Sequence, residues 1–258
     1  MPNTSEIKEF LEEKHDLYNQ VSFIDSDPIQ IPHLFSRKED IEIAGFLTSS
    51  IAWGNRKMII RNARKIIAFM QNNPYEFLLN ENICLSDVQN IGHRTFKPED
   101  FLFFLQSLKN IYENHGGLED VFTKGYKNEN SVFSAITYFR NIFFELPHLQ
   151  RTEKHIANVM KNSAAKRINM FLMWMVRKDN RGVHFGLWDK ISPADLIIPL
   201  DIHTGNTARS LELLTRKQND RKAAEELTNN LKKFEPEDPV KYDFALFGLG
   251  VFEGFRRT

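Results

Sequence analysis

Apolar residues recur every three to four positions along most of this chain, a spacing that restricts it to packed amphipathic helices. Asp40–Ile51 shows the pattern: an acidic start, then Ile43, Phe46, Leu47 and Ile51 on one face. Ser5–Tyr18, Lys57–Gln71, Pro74–Leu79, Pro98–Tyr112, Leu118–Lys124 and Ser131–Phe144 read the same way. So do Thr152–Met160, Lys166–Lys178, Thr204–Leu214, Asp220–Phe234 and Val240–Leu249. Period-two alternation is rare. Leu196–Leu200 is the best strand candidate, and Pro199 weakens it. The prolines of Asp25–His33 predict a loop, and Gly54-Asn55, Asn72-Asn73-Pro74 and Gly116-Gly117 predict helix breaks. The expected fold class is all-α.

With 258 residues, 41% apolar content and 22 Phe, the chain has enough material for a substantial core. No apolar run approaches the roughly 20 residues that span a bilayer, so no membrane association is expected. Met1–Glu6 lacks a basic and apolar leader pattern, and Cys84 is the sole cysteine; both fit a cytoplasmic protein. One cysteine excludes an internal disulfide and any all-cysteine metal cluster within the chain. His155, His184 and His203 lack close ligand spacing, so neither a catalytic metal nor another cofactor is expected. Nothing in the pattern marks an obligate protein partner.

Lysine and arginine balance aspartate and glutamate at 34 each, but the charge is clustered. Residues 55–65 carry Arg56, Lys57, Arg61, Arg64 and Lys65 with no acid. Residues 151–181 carry eight basic residues, Lys161, Lys166 and Arg167 among them, against Glu153 and Asp179. A basic face of this kind suits a phosphate backbone, while a merely solvated helix surface has the same composition.

Two residues stand out chemically. Lys166 opens a long apolar helix, where the positive end of the helix dipole, loss of water and the neighbouring Arg167 all favour the neutral, nucleophilic amine. Asp201 ends Leu196–Asp201 and precedes Ile202-His203-Thr204, where a carboxylate can orient such an amine and take its proton. The same residues also read as a snorkelling surface lysine and a helix N-cap. Trp53, Asn55 and Arg56 sit at a helix break and read either as the lining of a base pocket or as a core tryptophan beside a surface arginine; Trp174 and Trp188 read as core. His93-Arg94-Thr95-Phe96 is a compact polar–aromatic cluster usable for phosphate or base contact.

Residues 156–211 resemble the helix-hairpin-helix DNA glycosylase superfamily. Leu200-Asp201-Ile202-His203-Thr204, with Arg209 beyond, is similar to its aspartate segment. Asn162-Ser163-Ala164-Ala165-Lys166-Arg167 occupies the place of its hairpin and lysine. The long separation of Lys166 from Asp201 is closer to the archaeal 8-oxoguanine glycosylase branch. Glu42–Asn55 looks like the superfamily's first core helix, and the chain as a whole resembles an uncharacterised bacterial family. Two hairpin glycines are replaced, by Asn162 and Ala164, and the four-cysteine cluster of one branch is absent.

The resemblance implies two helical subdomains with a cleft between them, interlocked as one unit over 1–258. One spans 40–165 and the other joins 1–39 to 166–258. It further implies duplex DNA with a damaged base as partner and a lysine Schiff base that removes an oxidised purine and permits strand cleavage. Lys166 and Asp201 would be catalytic. Lys161, Asn162, Arg167, Arg56, Arg61 and His203 would touch DNA, and Trp53 and Asn55 would line the base pocket. A catalytically degenerate nucleic-acid-binding module is the alternative. A small-molecule enzyme with a Schiff-base lysine would need a phosphate-binding motif that the chain does not display.

Overall fold

The computed structural model describes residues 4–255. Met1–Asn3, part of the segment read above as lacking a leader, lies outside the described residues. Among the described residues the chain is all helical, with no strand; the β-type pairing is an isolated bridge between His93 and Phe96. Among the described residues no helix is long and apolar enough to cross a membrane.

The chain divides into two compact units, Ile24–Ala157 (the central unit) and Met1–Phe23 with Asn158–Thr258 (the terminal unit). The boundaries expected at 40 and 165 lie later in the chain than these, so the hairpin before Lys166 belongs with the helix it introduces.

The terminal unit begins with α1 (Thr4–Tyr18). The central unit holds α2 (Lys38–Ser50), α3 (Arg56–Phe69), α4 (Pro74–Asn80), α5 (Pro98–Asn114), α6 (Leu118–Glu129) and α7 (Val132–Phe143). The terminal unit resumes with α8 (Lys166–Val176), α9 (Ile202–Ser210), α10 (Arg221–Lys232) and α11 (Asp243–Phe252).

In the central unit α2 is buried from Asp40 through Ser50 because even its polar residues are satisfied. Tyr112 donates to Glu42 at 2.7 Å and Ser49 donates back to the Phe46 carbonyl at 3.0 Å. Around Phe46 stand Phe104, Phe139 and Phe143, with centroids 6.0, 5.4 and 5.6 Å away. α6 and α7 pack closely because Gly125 has no side chain: a Cβ there would lie 2.5 Å from that of Tyr138. In the terminal unit α11 packs on α1 and α9. Trp174 and Trp188 are core, 2% and 1% exposed.

Three local expectations are corrected. The prolines of 25–33 start short 3-10 turns, Pro28–Gln30 and Pro32–Leu34, since a ring-fixed φ suits a first turn. Thr152–Met160 is not an α-helix but two 3-10 turns, Gln150–His155 and Val159–Lys161, interrupted where the Asn158 side chain caps the second. Residues 196–200 are extended without a ladder partner; the Ile198 amide bonds instead to the Thr228 hydroxyl at 3.1 Å.

Candidate functional site

The segment before α8 forms a tight hairpin. Asn158 accepts from the Met160 and Lys161 amides at 3.0 and 3.2 Å, and Asn162 then turns left-handed with φ 62°. Asparagine adopts that conformation readily, as expected for a glycine replacement. The second left-handed residue is Ala165, φ 49°, and not Ala164. The backbone of Ala164 is occupied otherwise: its carbonyl accepts from Asn169 at 3.0 Å. Nor is Asn162 open on both sides. Its carbonyl accepts from the Arg221 amide at 3.1 Å and its carboxamide donates to Asp220 at 3.0 Å. The Arg216 guanidinium holds the Asp220 carboxyl well below the usual range, so that partner stays ionised.

Lys166 is the first residue of α8, which lacks a side-chain cap. Its amine is half-buried and contacts the Met170 sulfur at 3.7 Å. Arg167 beside it is half-buried, and burial pulls its guanidinium down to about 10. Lys161 and His203 are exposed; His203 meets the Phe247 ring edge-on at 6.5 Å.

Asp201 caps α9, one carboxylate oxygen accepting from the Thr204 amide at 2.9 Å. Its carbonyl accepts from Gly205 at 2.9 Å and from Asn219 at 3.0 Å. Arg209 donates to the same Asn219 at 2.6 Å, crossing Gly205 at a point where a Cβ would lie within 2.9 Å of the guanidinium. Lys166 and Asp201 belong to one unit, but among the described residues they make no ion pair with each other within 4.0 Å.

The other candidates lie in the central unit. Asn55 caps α3, accepting from Met58 at 3.2 Å. Arg61 is exposed and Arg56 half-buried. Trp53, half-exposed, touches two buried histidines: His155 near-parallel at 6.0 Å and His93 edge-on at 4.9 Å. His93 also bonds the Trp53 carbonyl at 2.9 Å, so the helix break and the His93–Phe96 turn, separate in sequence, meet.

A family model described as "Protein of unknown function (DUF2400)" matches residues 27–252. The chain belongs to the DUF2400 family. The match contains both the hairpin with Asp201 and the Trp53 cluster. No curated protein and no solved structure matches the chain.

Two groups in this DUF2400 chain escaped the sequence reading. Asp100, fully buried, accepts from Arg151 and Thr152 at 3.0 and 2.7 Å and lies 3.2 Å from His155. Its position three residues into a helix opened by Pro98 signals a helix start, and it does cap Lys97 at 2.8 Å; nothing local names His155. In the terminal unit Arg177, 1% exposed, pairs with Asp179 at 2.6 Å and Asp238 at 2.8 Å and reaches His184 at 3.1 Å. By composition it belongs to a solvent-facing basic stretch.

Proposed function

We propose that this protein is a DNA repair glycosylase with lyase activity, acting on an oxidised purine of the 8-oxoguanine kind. The observation that carries the reading is the left-handed turn at Asn162 leading within four residues to Lys166 at an uncapped helix start. Asp201 supports it, because capping engages one carboxylate oxygen and leaves the other for a proton.

In this reading the damaged nucleotide is rotated out of its stack. Asp201 takes a proton from the Lys166 ammonium, and the amine attacks C1′ as the bond from C1′ to the base breaks. The departing base keeps the bonding electrons and acquires a proton. Ring opening gives an imine between Lys166 and C1′; loss of a C2′ proton then expels the 3′ phosphate by β-elimination, and water releases the lysine.

Borohydride reduction of the imine tests this. The parent protein is expected to form a covalent adduct with an 8-oxoguanine or abasic duplex, and Lys166→Gln is expected to form none. Asp201→Asn keeps the cap, since asparagine caps as well as aspartate, and is expected to fold and bind DNA while base release falls by orders of magnitude. Trapping of Lys166→Gln at the parental level would place the nucleophile elsewhere.

One observation favours the second reading, a binding module without chemistry. The hairpin is internally satisfied, with both the carbonyl and the carboxamide of Asn162 engaged by Arg221 and Asp220. Duplex binding without trapping on any lesion would select it.

A further inference from the structure

Several cations of the central unit pair with its own carboxylates. Arg37 pairs with Glu39 and Glu76, Lys38 with Glu119, Arg140 with Glu153 and Arg151 with Asp100. α3 is different. It buries Ile59, Ala63, Ile66 and Ile67 and turns Lys57, Arg61 and Lys65 outward. Among the described residues these three make no ion pair or hydrogen bond through their side chains. They recur every fourth residue, which sets them about 6 Å apart along one face.

The N-terminal end of this face adjoins Trp53. The indole is fixed from below: His155 and His93 brace the ring, and Asp100 lies against His155. Asn62 of α3 bonds His93 at 2.9 Å, tying the basic helix to the same support. Beside the ring, Arg94 has a left-handed backbone, φ 54°, a conformation that non-glycine residues rarely adopt. Reciprocal 2.9 Å bonds between His93 and Phe96 hold it there, and Arg151 grips the Thr95 carbonyl at 3.1 Å. The Arg94 guanidinium lies over Gly54, φ 94°, where any Cβ would collide with it. It is exposed and has no hydrogen-bond or ion-pair partner among the described residues.

We propose that Trp53, Arg94 and the outer face of α3 form a binding track for single-stranded nucleic acid in the central unit. An unpaired base stacks on the Trp53 indole, and successive phosphates meet Arg94, Lys57, Arg61 and Lys65. A duplex matches this surface less well, because paired bases present edges and not faces to a fixed ring. The track rests on the glycosylase reading only for the class of ligand. It uses neither Lys166 nor Asp201.

The three tryptophans make the test specific. Trp174 and Trp188 are 2% and 1% exposed, so a ligand that quenches fluorescence by direct stacking reports Trp53. The full chain titrated with oligo(dT) is expected to show saturable quenching that weakens steeply with salt. Trp53→Phe should abolish the quench. Arg94→Ser and Arg61→Glu, both at exposed positions, should each weaken binding of a labelled oligo(dT) by anisotropy roughly tenfold and lower the salt slope by about one or more. Trapping and oligo(dT) quenching are scored separately on the parent protein, so failure of trapping and failure of the track are read separately. Equal quenching and affinity with heparin would reduce the site to a polyanion surface and overturn the proposal. Equal quenching by a duplex of the same length, or none by oligo(dT), would overturn it as well.

Discussion

The central unit packs Phe104 against Phe143 at 4.8 Å and Phe122 against Phe139 at 4.4 Å, while the terminal unit surrounds a buried guanidinium, Arg177, with Asp179, Asp238 and His184. The first is held by shape and apolar burial, which are non-directional and insensitive to pH. The second is held by charge, which costs several kcal/mol per ion to dehydrate and returns it only while every partner is in place. The difference extends to the surface. Basic residues of 151–181 are partly consumed inside their own units, by Asp100, Asp179, Asp238 and Asp16. Those of 55–65 largely are not.

The largest effect expected from breaking this contrast is in the ring cluster. Phe139 is fully buried against Phe46, Phe122 and Phe143, so Phe139→Ala removes a ring that nothing nearby replaces. A loss of about 4 kcal/mol is expected, read as a lower urea midpoint, with the same loss at pH 5 and pH 7. A loss under about 1 kcal/mol would mean that the rings fill space without holding the unit.

Asp238→Asn comes next, with a change of at most about 2 kcal/mol at pH 7, because it forfeits a partner of Arg177 but also removes the cost of burying an ionised carboxylate, and Arg177 keeps Asp179. Its pH dependence sharpens the comparison. Burial, first of all, pushes the Asp238 carboxyl up to about 6 from an ordinary 3.8. Its contribution to stability is therefore present below about 3.8 and lost as pH rises through about 6. Burial, and next Arg177, pull His15 down to about 4 from 6.5. Its contribution is present above about 6.5 and lost as pH falls through about 4. The two slopes oppose each other between about 4 and 6. In Asp238→Asn the histidine acts alone, so the melting temperature should fall more steeply from pH 6.5 to 4 than in the parent. Parallel profiles for parent and variant would show that these groups do not set the acid response.

Legibility in the sequence tracks the range of the interactions. Helix starts were legible because caps act within three residues: Asn55, Asp201 and Asp220 each bond an amide just ahead. The apolar period placed α2 and α3 to within a few residues for the same reason. The 3-10 turns after Pro28 and Pro32 were not legible, since proline reports its own fixed φ and not the conformation of the residues after it. Lys166 and Asp201 were singled out on local chemistry; local signals did place Lys166 at the start of α8 and Asp201 at the cap of α9, while their mutual distance was never encoded locally. The Asp100–His155 and Arg177–Asp238 contacts join residues far apart in the chain, and no periodicity reports them. Arg177 misled for a specific reason: in composition an arginine bound for the interior looks the same as one bound for solvent.

The smallest expected effect separates the two basic stretches. Arg181 bonds Asp16 at 2.5 Å, but both side chains are well exposed, and such a pair contributes little because water and salt screen it. Arg181→Ser should change stability by about 0.5 kcal/mol or less, within reach of paired urea titrations. Its positive charge is already offset by Asp16, so the substitution should also leave oligo(dT) affinity and its salt slope within about twofold of the parent. Arg61→Glu alters a charge with no internal partner and should move both. If Arg181→Ser weakens polyanion binding as much as Arg61→Glu does, internal pairing is not what distinguishes these cations. The basic residues of 151–181 would then have to be counted as surface alongside those of α3.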